Sequence, residues 1–150
     1  MAPTTTPLLL LAQQLREAGY SLTKPRKQVF EAMLDAEPMS LHELSECLKG
    51  TVDRTSIYRT TRLFETLSIV QRLYVGWKYQ LELSDAYIHH HHHATCTSCG
   101  LIAALQPDAR LETYLDGIAQ SSGFHMAKHT LEVRGLCSAC YSEKHKTPAS

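Results

Sequence analysis

The sequence predicts an α+β fold: an N-terminal winged helix-turn-helix followed by a small α/β domain with a four-cysteine zinc site. Three observations predict it. Segments with apolar residues at helical spacing fill the first half and run into a two-strand pattern around Gly76-Trp77. Two Cys-x-x-Cys pairs, Cys96/Cys99 and Cys137/Cys140, bracket the second half. Five consecutive histidines, His89 to His93, run almost directly into the first pair.

The elements follow in chain order. "MAPTTT", residues 1–6, reads as a frayed end. From Pro7 to Ala18, Leu8, Leu11 and Leu15 recur at helical spacing, and Gly19 ends the helix. In "TKPRKQVFEAML", Thr23 is the cap, Pro25 sits in the first turn, and Val29, Phe30, Met33 and Leu34 form the apolar face. "SLHELSECL" opens with Ser40 and carries Glu43 three residues on, a capping box, with Leu41, Leu44 and Leu48 inward. Cys47, beside Leu48, reads as a small buried residue, with an exposed thiol as the alternative. A helix then starts near Asp53. Ile57, Phe64 and Leu67 share one side, with Thr60 between them; Thr55, Ser56, Tyr58, Arg59 and Arg62 share the other. "RLYVGWKYQLEL" reads as two strands joined by a type II′ turn. Helices followed by such a hairpin define a winged helix, with the helix from Asp53 as the recognition helix.

"SDAYI" is the expected hinge, giving a DNA-binding domain over residues 1–83, a hinge over 84–88 and a second domain over 89–140. In that domain His89 to Thr95 is expected to be extended and "LIAAL" a strand. "DARLETYLDGIAQ" is a helix through Leu111, Leu115 and Ile118, and "HTLEVRG" is a strand. The polar tail 141–150 is expected to be disordered.

The totals narrow the function. The chain of 150 residues is 43% hydrophobic and 20% charged, with a formal net charge of zero. That allows one compact unit or two small domains. Strong non-specific attraction to nucleic acid or membrane is not written in the totals, so any DNA contacts must be local. No apolar run is long enough to span a bilayer, and "PLLLLAQQLREAGY" lacks the basic start and cleavage site of a signal peptide. The expected location is cytoplasmic. There, paired cysteines more often hold metal than form disulfides.

Cys96, Cys99, Cys137 and Cys140 can surround one zinc ion tetrahedrally, each pair supplying two thiolates at about 2.3 Å. A redox site needs only one such pair, and the motifs of a zinc deaminase are absent. The histidine run is internal and flanked by Tyr87, Ile88 and Cys96, which argues against an affinity tag. In a strand, alternate side chains face opposite ways. His90 and His92 then share one face, and His89, His91 and His93 the other. Glu82, Glu112 and His129 are candidate partners. Nitrogen and oxygen ligands suit zinc, ferrous iron, manganese or nickel.

Together, "GYSLTKPR", "SIYRTTRLFETLSIV", "HHHHHATCTSCG" and "FHMAKHTLEVRGLCSAC" resemble the ferric uptake regulator (Fur) family of metal-dependent prokaryotic repressors, from about Leu8 to Cys140. The resemblance implies an α/β dimerisation domain after the winged helix, and homodimers that bind palindromic double-stranded DNA operators when loaded with metal. It puts structural zinc on Cys96, Cys99, Cys137 and Cys140. A dimerisation-domain metal falls on His90, His92, Glu112 and His129, and a regulatory interdomain metal on Glu82, His91 and His93. It puts Tyr58 and Arg59 in the major groove. Thr55, Ser56 and Arg62 share that helix face, and Lys24, Arg26 and Lys27 are candidates for phosphate or minor-groove contact.

This chain departs from the family pattern at several positions. His92 stands where aspartate is frequent, which resembles the zinc-sensing branch. Pro38 and Met39 stand where iron-sensing members carry a histidine, and Ala104 where a further glutamate is expected. Gln71 and Glu82 occupy the places of the aspartate and cysteine ligands of zinc sensors. Water, His89, Asp85 or His42 then completes the regulatory site. The expected function is a metal-responsive, DNA-binding transcriptional repressor, with structural zinc and a regulatory zinc or ferrous ion; manganese and nickel stay open. A metalloenzyme is disfavoured because no clear general base or nucleophile accompanies the histidines. A metal-storage or protein-interaction module would bind metal with no operator preference.

Overall fold

The computed structural model describes residues 6–145; most of the expected frayed start and the end of the expected tail lie outside the described residues. The chain divides into two compact units that meet in sequence between His89 and His90.

The first unit contains α1 (Pro7–Glu17), α2 (Lys24–Met33), α3 (Leu41–Cys47), α4 (Arg54–Thr66), β1 (Val70–Val75) and β2 (Lys78–Leu83). Its core is the set of apolar residues at helical spacing. Leu11 and Leu15 of α1, Val29 and Phe30 of α2, Leu44 of α3, and Ile57 and Phe64 of α4 are all buried. Local signals fix the helix ends. Gly19 takes φ 83°, which glycine adopts without strain. The Ser40–Glu43 capping box is reciprocal, and the Asp53 side chain accepts from the Ser56 N–H. Thr23 occupies the N-cap of α2, but its side chain makes no capping hydrogen bond. The neighbouring Pro25 presets the first turn instead.

β1 and β2 pair antiparallel from Val70↔Leu83 to Val75↔Lys78, leaving Gly76 and Trp77 as the turn. Gly76 has φ 59° and Trp77 is not in the left-handed region, as a type II′ turn requires. Met39 bridges Leu81 on the other side of β2, tying the α2–α3 connection to the wing. Arg72 of β1 pairs with Glu65 of α4 and lies 4.2 Å over the Tyr79 ring, so the wing is pinned to the fourth helix. Segment 84–88 turns through a Tyr87 N–H to Ser84 C=O bond of 2.9 Å. Tyr87 is buried edge-on against Phe30 at 5.1 Å, and its hydroxyl donates to Gln14 Oε1. Gln14 in turn donates to the carbonyl of Leu67, the C-cap of α4.

The second unit contains β3 (His92–Cys96), β4 (Ile102–Leu105), α5 (Ala109–Ser121), β5 (Glu132–Gly135) and α6 (Ser138–Lys144). The sheet order is β4-β3-β5. β3 pairs antiparallel with β4 and parallel with β5. Parallel neighbours need a long crossover, and α5 lies in it, capped by the Asp108 side chain.

Four expectations change. Strand pairing begins at His92, because β4 ends opposite it at Leu105; His89 to His91 lie before the strand. β5 likewise pairs only from Glu132, opposite His93, so His129 precedes the strand. Cys47 is exposed. At about 100° per residue it falls to the side of the stripe defined by Leu41, Leu44 and Leu48. The tail does not lose structure at Tyr141: the turn at Cys137 starts α6, which runs to Lys144, and Tyr141 stacks on His145 at 4.1 Å.

Phe30→Ala is expected to cost about 3–5 kcal/mol in urea unfolding, the cost of an aromatic deletion in a packed core. Cys47→Ser should change stability by less than about 0.5 kcal/mol, as an exposed site does.

Candidate metal centres and nucleic-acid interface

The cysteines meet because of sheet register. Cys96 ends β3 opposite Gly135, and Cys137 follows two residues later as the N-cap of α6. The Thr97 N–H donates to the Gly135 carbonyl at 2.8 Å and the Gly100 N–H to the Cys96 carbonyl at 3.0 Å, closing the first knuckle. The four sulfurs lie within 4.8 Å of one another. Cys99 Sγ and Cys137 Sγ are 3.8 Å apart. A zinc–sulfur bond of about 2.3 Å gives a tetrahedron edge of about 3.8 Å, so the donor set fits zinc. The Cys96 thiol is pushed down to about 6, mainly by the backbone N–H of Cys99 and then that of Cys137. The Ser98 hydroxyl favours the Cys140 thiolate, but the neighbouring thiols of Cys137 and Cys99 outweigh it and push Cys140 up to about 12. Such a group of thiols ionises together only beside a cation.

A second group forms just upstream on the same segment. His90, His92, Glu112 and His129 offer ligand atoms within 4.8 Å of one another. His90 Nε2 and His129 Nε2 are 3.3 Å apart. With zinc–nitrogen bonds of about 2.0–2.1 Å, a tetrahedron edge is about 3.3–3.4 Å, so three imidazoles and one carboxylate fit a tetrahedral ion. Glu112, in the first turn of α5, reaches His92 Nε2 at 2.7 Å and His129 Nε2 at 3.1 Å. The His92 hydrogen bond, aided by the nearby His129, holds the Glu112 carboxyl below the usual carboxylate range. His92 is buried, whereas His90, Glu112 and His129 are half-buried.

His91 and His93 are not members of this group, and their ring centroids are 4.7 Å apart. His90 and His92 make the corresponding even-numbered pair at 4.8 Å. Glu82 belongs to the first unit, on β2, where the Gln71 amide donates to it at 3.1 Å. Asp85 and His89 also lie in the first unit. His42 is exposed on α3.

The candidate nucleic-acid face is the outer side of α4. Thr55, Tyr58, Arg59 and Arg62 are exposed, Ser56 is half-buried, and Ile57, Thr60, Thr61 and Phe64 are turned inward. Leu41, His42 and Ser45 of α3 line a groove with Arg54, Thr55 and Tyr58. At the start of α2, Arg26 donates to the Ser21 carbonyl and sits 5.4 Å over the Tyr20 ring, which holds its guanidinium in place. Lys24 is exposed, and Lys27 pairs with Glu31 at 3.7 Å.

Two groups of contacts were not read from the sequence. Thr95 Oγ1 donates to Glu132 at 2.9 Å and Arg134 pairs with Glu132 at 2.9 Å, cross-linking β3 to β5 beside the cysteines. The signal that could have found the pair is strand alternation in "HTLEVRG", which places Glu132 and Arg134 on one face. The Cys137 N–H donates to Cys96 Sγ at 3.3 Å, a contact that knuckle turns supply through the backbone and that no side-chain pattern reveals.

A winged helix joined to an α/β unit with clustered thiols and imidazoles defines a metal-binding DNA-binding regulator. The chain belongs to the ferric uptake regulator family, whose description it matches over residues 17–134. It is similar to the ferric uptake regulation protein of Legionella pneumophila, 31% identical over 139 residues, covering 86% of this chain and 97% of that one. It is also similar in structure to the Vibrio cholerae ferric uptake regulator (TM-score 0.67, 28% identity, covering 85% of this chain and 99% of that one). The Pseudomonas aeruginosa regulator with manganese gives a TM-score of 0.69 at 26% identity, covering 84% of this chain and 96% of that one.

Cys96→Ser and Cys137→Ser are each expected to remove one zinc equivalent per protomer and lower the melting temperature. Each kcal/mol lost should lower it by about 2–4 °C in a chain of this length. Elemental analysis and scanning calorimetry check both.

Proposed function

We propose that this chain is a cytoplasmic transcriptional repressor whose homodimer binds a palindromic operator when loaded with zinc or ferrous iron. The observation that carries this reading is the sorting of the histidines: even-numbered rings join Glu112 and His129, while His91 and His93 form a pair of their own. In this reading Cys96, Cys99, Cys137 and Cys140 hold structural zinc, and His90, His92, Glu112 and His129 hold a second ion within residues 89–140. Glu82, His91 and His93 take the regulatory ion. Zinc or ferrous iron suits that donor set of two imidazoles and a carboxylate, with manganese or nickel as competitors.

Residues 1–83 bind DNA, residues 84–88 are the hinge, and residues 89–140 dimerise. The exposed edge strand β5, with Val133 half-exposed, and the exposed Tyr114 and Ile118 of α5 support a second copy as the partner of the second unit. Arg59 suits a bidentate contact to guanine and Tyr58 packing on a thymine methyl. Thr55, Ser56, Arg62, Arg26 and Lys24 supply phosphate and flanking contacts. Loading favours the arrangement in which both recognition helices match successive half-sites, and it does so only by binding that arrangement better than others. The Tyr87–Gln14–Leu67 chain of hydrogen bonds supports coupling from the hinge to the recognition helix.

Arg59→Ala and Tyr58→Ala should each weaken specific operator binding by about 1–3 kcal/mol while leaving metal content and dimerisation unchanged. His91→Ala with His93→Ala should leave a folded dimer that no longer tightens on its operator when metal is added. His90→Ala with His92→Ala should instead reduce metal content and melting temperature. Fluorescence anisotropy with buffered metal, beside calorimetry, separates the two pairs. Identical behaviour of the two double variants would contradict the assignment.

A further inference from the structure

Glu82 has a partner on its own hairpin. It lies directly across the wing from Gln71, and the Gln71 Nε2 donates to Glu82 Oε2 at 3.1 Å. An amide facing a carboxylate must present its nitrogen, so the orientation of the Gln71 side chain is fixed by chemistry. The hairpin has no need of this contact for its register, which is set by the buried Val70, Leu81 and Leu83 and by the two-residue turn. A carboxylate binds metal either through one oxygen or through both. A hydrogen bond to one oxygen engages one of that oxygen's two lone pairs and fixes the plane of the group.

We infer that Gln71 is a positioning residue that selects the metal at Glu82: its amide engages Oε2 and directs the ion to Oε1 alone, favouring four-coordinate zinc over six-coordinate manganese. The inference rests on the reading of Glu82 as a ligand of the regulatory ion. Zinc with two imidazoles and a carboxylate prefers four ligands, whereas harder ions take more oxygen donors. Partners that orient a ligand typically change metal affinity about 10–100-fold when removed.

The test uses the full chain and three variants: Gln71→Leu, which removes the donor at similar size; Gln71→Thr, a good strand former too short to reach, in case leucine disturbs folding; and Glu82→Ala. Zinc and manganese affinities are measured by chelator competition, and cobalt(II) replaces zinc as a spectroscopic probe. Subtracting the Glu82→Ala spectrum isolates the Glu82-dependent ion from the thiolate and three-histidine groups. The expected result is an intense tetrahedral cobalt band in the unsubstituted chain that weakens in both Gln71 variants. Zinc affinity should fall at least about 10-fold, and manganese affinity should change by less than about threefold. Unchanged cobalt bands and affinities in the Gln71 variants, with the ion lost in Glu82→Ala, overturn the inference and leave the regulatory reading standing. Equal losses of zinc and manganese also overturn it, since Gln71 would then support Glu82 without selecting the ion. If Glu82→Ala itself binds every metal as the unsubstituted chain does, the regulatory reading fails and the inference falls with it.

Discussion

The two-residue period of an extended segment is the constraint on which the rest of the second unit depends. Successive side chains must leave opposite faces, so a run of identical histidines cannot act as one ligand cluster. His90 and His92 join Glu112 and His129 in one group, while the His91 and His93 rings pair with each other outside it. In the proposed reading, one short stretch thereby serves two metal sites without branching the chain. Inserting one residue would exchange the faces of everything beyond it.

The cysteine group depends on the same strand through its neighbours. β3 is the centre of its sheet, and the parallel pairing with β5 sets Cys96 against Gly135. Both knuckles therefore leave the sheet at one end. The Thr95–Glu132–Arg134 contacts support that pairing just before the first thiol. In the proposed reading, a closed thiolate site would couple metal binding to the folding of a unit whose own apolar core is small: Cys96 and Ile102 are its buried apolar residues among those described. The first unit needs no such support, because four helices and a wing bury a continuous set of leucine, valine, isoleucine and phenylalanine side chains.

Much of this was legible in the sequence because it rests on local rules. The Ser40–Glu43 box, the Gly76-Trp77 turn, the apolar stripe of α4 and the odd–even division of the histidines follow from periodicity and turn chemistry alone. The features that were not legible depend on partners distant in sequence. β3 starts at His92 because β4 ends opposite it. α6 continues past Tyr141 because the turn at Cys137 starts a helix that a polar composition conceals. The neighbouring Leu48 suggests burial for Cys47, but the angle of Cys47 around the helix leaves it exposed. The two-residue turn already sets Gln71 opposite Glu82; the family pattern marks both positions as ligand places, which conceals that they are partners of each other.

The central claim is that one histidine segment divides its metals into separate sets. Zinc-edge X-ray absorption during stepwise zinc loading, followed in parallel with operator affinity, tests it most directly. The account predicts an early ion with four sulfur neighbours at about 2.3 Å, and later ions with only nitrogen and oxygen neighbours at about 2.0–2.1 Å. Operator affinity should rise with the last ion. A mixed sulfur and nitrogen shell, or a single nitrogen–oxygen ion whose binding alone completes the operator response, would contradict it.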